Sequence, residues 1–320
     1  MSGWTLESDL GRSHQAALEA RERIRPWVRE TPLIEAAPGL LLKLETLQAT
    51  GSFKVRGAAC ALSAGHLAGA RSVIAASTGN HGLAVAHVAA ELGMSCRVFV
   101  PSSASGFKLH RLRSAGVELV EVPGDPLRAE LAAREEAAGG GALFVSPYND
   151  PLVVLGQASV GLELIEQLGE EPAALFVAVG GGGLISGIAL AARERWPRTR
   201  IVGCVPAASP AMADAVAAGG RIVASRLEHT LSDATAGGIE EGAITVPICT
   251  ALVDDWLAVA EEEIAAAMRI ALLQYHVAAE GASGLALAGA LRQAGGGGQC
   301  VAVLGGANAG ATALEAVLHV

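Results

Sequence analysis

The run Leu40-Leu41-Leu42-Lys43-Leu44-Glu45, followed by Gly51-Ser52-Phe53-Lys54-Val55-Arg56-Gly57 and Ala58-Ala59-Cys60-Ala61-Leu62, decides how this chain is read. The first part is an apolar run of strand length, and the last has the small and apolar residues of a helix opening. Lys54 stands at their junction. A lysine in such a turn can be aimed into a cleft instead of along a solvated face. Held partly out of water, its charged form is disfavoured and its pKa falls, and the amine can condense with an aldehyde to a Schiff base. A lone lysine at a helix start is ordinarily a surface charge. The neighbouring turns argue for more.

Working outward, Ser72-Val73-Ile74-Ala75-Ala76 is a predicted strand, and Ser77-Thr78-Gly79-Asn80-His81-Gly82 joins it to a helix predicted over 83–92. Small residues with available amides and hydroxyls at such a turn suit a carboxylate. A second strand, predicted over 174–179, enters Gly180-Gly181-Gly182-Gly183-Leu184 and then a helix predicted over 185–195. Amides without side chains in the way, at a helix N-terminus, converge on an anion such as a phosphate. No Gly-Lys-Ser/Thr follows, which excludes a nucleotide P-loop. The next strand ends Gly203-Cys204-Val205-Pro206, without the acid of a dinucleotide site. The glycines at 295–298 read as an ordinary loop.

Alternation continues along the chain. Helices are predicted over 13–29, 108–115, 126–138, 161–168, 261–273 and 283–294, and strands over 96–100, 117–122, 142–145, 200–205 and 300–304. Short buried strands alternating with helices imply an α/β fold with parallel sheets and crossover helices. Gly139-Gly140-Gly141 is expected to break the chain, and the turn-rich Ser146-Pro147-Tyr148-Asn149-Asp150-Pro151 to mark the passage between two units. The stretch 209–234 reads as less regular.

Hydrophobic residues are 51% and charged residues 17% of the 320, the composition of a chain with a real core. Aromatics are 3% and the net charge is −9, which argues against a nucleic-acid partner. Cys60, Cys96, Cys204, Cys249 and Cys300 form no close pair, so they are expected to be reduced core residues of a cytoplasmic protein, with neither a disulfide framework nor a zinc spacing. Residues 1–9 carry acids and no apolar run, so no signal peptide is expected. No apolar stretch reaches the roughly 20 residues of a membrane helix.

Ser52-Phe53-Lys54-Val55-Arg56-Gly57, Ser77-Thr78-Gly79-Asn80-His81-Gly82 and Val179-Gly180-Gly181-Gly182-Gly183-Leu184, in that order, resemble the signature set of pyridoxal-phosphate enzymes of fold type II. Within that family the chain most resembles the serine/threonine dehydratases (ammonia-lyases), with serine racemase a close relative. The match runs from about Thr31 to the C-terminus. The resemblance implies a tryptophan synthase β-like α/β fold: two open, twisted, mostly parallel sheets flanked by helices. It implies a large cofactor-binding domain of residues 1–49 and 146–320 and a small inserted domain of residues 50–145.

By the same resemblance the cofactor is pyridoxal 5'-phosphate, joined to Lys54. Its phosphate would lie on Gly180, Gly181, Gly182, Gly183 and Leu184, its ring beside Phe53, and its ring hydroxyl oxygen at Asn80. Glu280, in Ala279-Glu280-Gly281-Ala282, matches a glutamate near the cofactor. Ser77, Thr78, Gly79, Asn80 and His81 would bind substrate, Tyr148 would wall the pocket, and Asp233, in Ser232-Asp233-Ala234-Thr235-Ala236-Gly237-Gly238, would face the substrate side chain. Plain alternatives stand beside these: a structural His81, an ordinary half-buried Tyr148, Asp233 as a helix cap, and Glu280 as a helix-end charge. Thr78 sits where serine racemase carries a second acid/base hydroxyl and most dehydratases carry alanine.

Two positions depart from the family pattern. In Leu304-Gly305-Gly306-Ala307-Asn308, Gly305 stands where relatives put a hydroxyl or thiol against the pyridine nitrogen, which leaves the partner of that atom open. A weaker electron sink of this kind suits β-elimination. Val205 and Ala211 replace the carboxylates of a divalent-cation site, so no metal is expected there. The expected activity is elimination of water from L-threonine or L-serine, after which the released enamine hydrolyses to a 2-oxo acid and ammonia, in a homodimer or homotetramer. An amino-acid racemase, a dehydratase for a bulkier β-hydroxy amino acid and a non-catalytic small-molecule sensor are the alternatives. A chain ending at Val320 leaves no room for a C-terminal regulatory domain, so isoleucine feedback is not expected.

Overall fold

The computed structural model describes residues 6–104, 106–124, 126–293 and 298–318. The reading of the first nine residues, in part, and most of the glycine loop at 295–298 lie outside the described residues. In chain order the elements are α1 (Leu6–Ile24), β1 (Leu33–Ala37), β2 (Leu40–Leu44), α2 (Lys54–Leu67), β3 (Ser72–Ala76), α3 (Asn80–Glu91), β4 (Ser95–Pro101), α4 (Gly106–Ser114), β5 (Glu118–Val122), α5 (Pro126–Gly140), β6 (Leu143–Phe144), α6 (Pro151–Leu168), β7 (Ala174–Ala178), α7 (Gly183–Arg195), β8 (Arg200–Pro206), α8 (Ala211–Ala217), α9 (Thr245–Leu252), β9 (Asp255–Val259), α10 (Glu261–Leu273), α11 (Gly281–Gln293), β10 (Cys300–Leu304) and α12 (Ala311–Leu318).

Two sheets form. One has the order β5-β4-β3-β6 and is parallel throughout. The other has the order β1-β2-β10-β7-β8-β9 and is parallel except for β1 against β2. The chain leaves the six-stranded sheet after β2, builds the whole four-stranded sheet, and returns at β7.

Parallel strands joined by helices are covered on both faces, and the strand sequences show it. In β7, Leu175 and Val177 pack with Val301, Val303 and the apolar faces of α6 and α7, while Ala174 and Phe176 pack with Ala302, Leu304 and residues of α10 and α11. In β3, Val73 and Ala75 meet α2 and α3, and Ile74 meets Phe99 and the α5 alanines Ala129, Ala133 and Ala137. β3, β7 and β10 each end at one of the turns singled out from sequence. Carboxyl ends of parallel strands are where open α/β folds bind ligands.

Several boundaries differ from the sequence reading. α1 ends at Ile24 instead of 29, because Pro26 disfavours helical backbone in the residue before it. α6 begins at Pro151, ten residues before its predicted start. Asp150 caps it, its Oδ1 accepting from the N–H groups of Leu152 (2.8 Å) and Val153 (3.4 Å), and Pro151 takes the first turn, where no N–H is missed. Gly156 and Gly161 inside α6 are contact points instead of breaks. A Cβ on Gly156 would lie 2.5 Å from the Arg56 carbonyl oxygen, and one on Gly161 2.8 Å from Ala191 Cβ. α5 continues through Gly139 and Gly140 and stops at Gly141, whose φ of 70° is the left-handed helix end. α8 forms inside the stretch read as irregular, and α9, β9 and α12 were not anticipated.

Candidate active site

Phe53, Lys54, Asn80, Tyr148, Ala178, Gly180, Gly181, Gly182, Gly183, Leu184, Ala234, Thr235, Glu280, Ala282, Val303 and Gly305 line one cavity. It therefore gathers residues from the ends of β7 and β10, from the starts of α2, α3 and α7, and from the loop after β6. A second hollow lies between α3, β4 and β5, with Met94, Cys96 and the Arg97–Glu118 ion pair on its walls. It gathers no convergent amine, amide and glycine turn.

Lys54 is the first residue of α2, and Phe53 precedes it with helical backbone. The Phe53 N–H donates to Gly305 O at 2.9 Å, which pins the start of α2 to the turn after β10. Lys54 Nζ donates to Pro147 O at 2.8 Å and lies 5.1 Å from the centre of the Phe53 ring. The side chain is only half-buried, because it opens on the cavity. Loss of water around the amine still lowers its pKa to about 8, against a smaller upward pull from the Glu280 carboxylate. An amine with that pKa loses its proton around pH 8 instead of the ordinary 10.5, and its neutral form is a competent nucleophile and base.

The glycine turn runs from the end of β7 into α7. Gly182 has φ 81°, a left-handed conformation that only glycine adopts at no cost, and α7 begins at Gly183. Thr245 Oγ1 donates to Gly181 O at 2.7 Å and fixes the turn from α9. Tyr148 lies flat against it: a Cβ on Gly181 would sit 2.3 Å from Tyr148 Cγ and Cδ1. The Tyr148 hydroxyl accepts from the Glu240 N–H at 3.0 Å, and burial pushes its pKa up to about 12. The opening amides of α7 with their dipole make a site for an anion.

Asn80 and Glu280 are buried side by side. Asn80 Nδ2 donates to Glu280 Oε1 at 2.8 Å, and Glu280 Oε2 accepts from the Asn308 N–H at 3.1 Å. Burial raises the Glu280 carboxyl to about 6, with the Asn80 hydrogen bond pulling the other way. A Cβ on Gly306 would meet Glu280 Oε1 at 2.5 Å, so this carboxyl occupies the space that a larger residue in the Gly305-Gly306 turn would need.

Of the residues expected from sequence to hold cofactor, all line this cavity: Phe53, Lys54, Asn80, Gly180, Gly181, Gly182, Gly183, Leu184, Glu280 and Gly305. Tyr148 joins them. Ser77, Thr78, Gly79, His81 and Asp233 are not on its wall. Ser77 Oγ accepts from the Gly79 N–H at 3.1 Å, which shapes the turn before α3. His81 is buried, with Nε2 2.8 Å from Val145 O. Burial, then the Lys54 charge, holds its pKa down to about 3, so the imidazole is neutral and Nε2 donates. Asp233 is exposed and pairs with Lys108 at 2.7 Å. Ala178 and Val303 line the cavity without having been singled out, and Ala234, Thr235 and Ala282 line it from the stretches quoted for Asp233 and Glu280, with no role assigned to them there. Thr235 packs its backbone against Gly180, and nothing in a single threonine announces such a role. Among the described residues, no group of three or more His, Cys, Asp or Glu side chains is arranged to hold a metal ion.

Residues 24–306 match the protein family described as pyridoxal-phosphate dependent enzyme. The L-threonine ammonia-lyase of Geobacter sulfurreducens is 39% identical over 311 residues, which are 94% of this chain and 77% of that protein. The serine racemase of Arabidopsis thaliana is 34% identical over 283 residues, 84% of this chain and 83% of that protein. Among solved structures, the processed form of threonine deaminase isoform 2 from Solanum lycopersicum has a TM-score of 0.89 at 27% identity, covering 99% of this chain and 94% of that one.

Proposed function

The chain belongs to the pyridoxal-phosphate dependent enzymes, and from that membership we propose that it is an ammonia-lyase. It eliminates water from a small β-hydroxy amino acid, L-threonine or L-serine, and the released enamine takes up water to give a 2-oxo acid and ammonia. What carries this is Lys54: an amine with a pKa of about 8 on the wall of a cavity that also holds a glycine turn at a helix N-terminus.

The donor set suits pyridoxal phosphate. Lys54 Nζ offers an amine to an aldehyde, the amides from Gly180 to Leu184 offer N–H groups to a phosphate, and Asn80 Nδ2 offers a donor to a ring hydroxyl oxygen. When bound, the cofactor ring withdraws electrons from the substrate α-carbon and makes loss of a proton and of a β-leaving group easier. Lys54 Nζ takes the α-proton. By resemblance, the backbone amides of the turn at Ser77, Thr78, Gly79, Asn80 and His81, which reaches the cavity at Asn80, hold the substrate carboxylate. Asp233, paired with Lys108 off the cavity wall, is assigned to the substrate side chain by resemblance alone, and Tyr148 excludes water beside the glycine turn. The identity to L-threonine ammonia-lyases and the likeness to a threonine deaminase support this choice of reaction.

Racemisation is the second reading. Its support is the 34% identity to the serine racemase and the Thr78 hydroxyl in the turn before α3. Chiral analysis of serine recovered from the reaction separates the two. The division into domains of residues 50–145 and of 1–49 with 146–320 has support in the two sheets, since strands β3 to β6 all fall in the insert. Five free cysteines, four of them buried, support a cytoplasmic setting, and a homodimer or homotetramer is proposed by resemblance alone. No helix among the described residues is long and apolar enough to cross a membrane.

The experiment is a panel of β-hydroxy amino acids assayed for oxo-acid release by the protein loaded with pyridoxal phosphate. Threonine and serine should give product. Cofactor bound at Lys54 with no oxo acid from any member would sink the lyase reading.

A further inference from the structure

Arg111 lies on α4, and its Nη2 donates to Asn308 Oδ1 at 2.8 Å, in the turn after β10. Asn308 Nδ2 donates to Thr50 O at 2.9 Å and to Asn80 Oδ1 at 2.6 Å. Asn80 Nδ2 donates in turn to Glu280 Oε1 at 2.8 Å. Four side chains thus connect a cation on the four-stranded-sheet side of the cleft to the cavity wall.

The polarity of this series follows from its ends. An amide side chain turned over exchanges a donor for an acceptor at little steric cost, so something must choose its orientation. A guanidinium has only donors, and a backbone carbonyl only accepts. Arg111 therefore selects the oxygen of Asn308, and Thr50 O selects its nitrogen. Asn80 must then present Oδ1 to Asn308, and the ionised Glu280 carboxylate, which only accepts, supports the same orientation from the other end. Its Nδ2, with two N–H bonds, is left on the side of Glu280 and of the cavity that both residues line.

We propose that Arg111 is a positioning residue which, acting through Asn308, holds Asn80 as a hydrogen-bond donor toward the cofactor. This rests on pyridoxal phosphate occupying the cavity. The same contact ties the approach of α4 to the polarity of the cavity wall. Lys108, one turn earlier on α4, makes its own contact across the cleft with Asp233 at 2.7 Å, so a change at position 111 leaves a second tether for the helix.

The test measures pyridoxal phosphate affinity of the unloaded protein, and the visible spectrum after loading, for wild type, Arg111→Met, Arg111→Lys, Asn308→Ala and the Arg111→Met/Asn308→Ala double variant. Arg111→Met should weaken cofactor binding about tenfold, the scale of one charge-assisted hydrogen bond, and shift the visible band. Lysine, which is also donor-only, should restore most of both. In the Asn308→Ala background, Arg111→Met should add nothing. Equal affinity and spectrum for wild type and Arg111→Met, or losses from the two sites that simply add, would overturn the relay. Thermal melting of each unloaded variant shows whether it is folded. If Asn308→Ala is not, the Met and Lys variants decide between them, and equal defects in the two would overturn the relay. Failure of the wild type to take up pyridoxal phosphate would overturn the reading of the cavity itself.

Discussion

Arg56 and Glu163 meet fork to fork, Nη1 to Oε1 at 2.6 Å and Nη2 to Oε2 at 2.8 Å, with both side chains almost wholly out of water. The same guanidinium reaches Glu45 through Nε (2.7 Å to Oε2) and Nη2 (2.8 Å to Oε1), and Lys43 Nζ donates to Glu163 Oε2 at 2.6 Å. Two cations and two carboxylates balance. The neighbouring Arg56 holds the Glu45 carboxyl below its usual range despite burial. Arg56 is two residues past Lys54, so this cluster fastens the first turn of α2 to β2 and α6. Removing one partner strands the others without water. Arg56→Met should lower unfolding free energy by about 3–5 kcal/mol in a denaturant titration. A loss below about 1 kcal/mol, the scale of an exposed pair, would mean that the cluster does not hold α2.

Lys54 and Glu280 set a pH dependence with a definite sign. Below about 8 the Lys54 amine is protonated and cannot attack an aldehyde. Capture of pyridoxal phosphate by the unloaded protein should therefore accelerate through pH 8 and level off above it, not at the ordinary lysine value of 10.5. The Glu280 carboxylate pulls the amine pKa upward, so Glu280→Gln should move that midpoint down. Stopped-flow absorbance against pH measures both. Lys54→Ala should abolish capture and lower turnover by about 10²–10⁴ or more, the contribution of a positioned acid–base group. Borohydride trapping and peptide mapping of the wild type should place the label on Lys54, and a label elsewhere contradicts the assignment.

The fold class and part of the cavity wall were legible in local sequence, and the family resemblance added the rest of that wall. Alternating short apolar runs and helices pointed to the parallel sheets, strand-to-helix turns pointed to the lysine and the glycines, and the resemblance added the asparagine. What stayed hidden depends on distant packing. The helix predicted over 161–168 misses the ten residues before it, where Gly156, with Gly161, lets α6 lie against α2 and α7 at contact distance. α9 carries Pro247 in its first turn and β9 opens on an acid, so neither shows a clean periodicity. Arg111 and Asn308 are 197 residues apart, and no spacing in the chain links them. For His81 the motif leaves a substrate-binding and a structural role open, and whether its ring reaches the cavity or the Val145 carbonyl is settled by tertiary packing alone.

Tyr148 against the glycine turn gives a packing test. A Cβ on Gly181 would fall within 2.7 Å of three Tyr148 ring atoms, so alanine there must push the ring off the turn. Gly181→Ala should cost about 1–3 kcal/mol of stability, the usual price of overpacking, and weaken cofactor binding. Tyr148→Ala in the same chain removes the obstruction and should recover part of the stability lost at Gly181. Thermal melting of the single and double variants measures the coupling. If the two losses add, the ring and the turn are independent.

His81 predicts acid lability. Its folded pKa is depressed from 6.5 to about 3, so its contribution is fully present above pH 6.5 and is lost as pH falls from 6.5 toward 3. The unfolded chain binds a proton in that window and the folded chain does not, which costs about 1.4 kcal/mol per pH unit. Glu280 acts in the opposite sense: raised to about 6, it adds stability as pH falls from 6 to its ordinary 4.5. Lys54 is protonated in both states throughout the window and contributes no slope. Comparing wild type with His81→Gln therefore isolates the imidazole, because Glu280 is common to both. Between pH 7 and pH 4 the wild type should lose about 3 kcal/mol more unfolding free energy than the glutamine variant, read from urea titrations of the unloaded proteins. Parallel losses in the two would mean that the imidazole takes up its proton inside the fold, and that burial against Val145 does not hold it neutral.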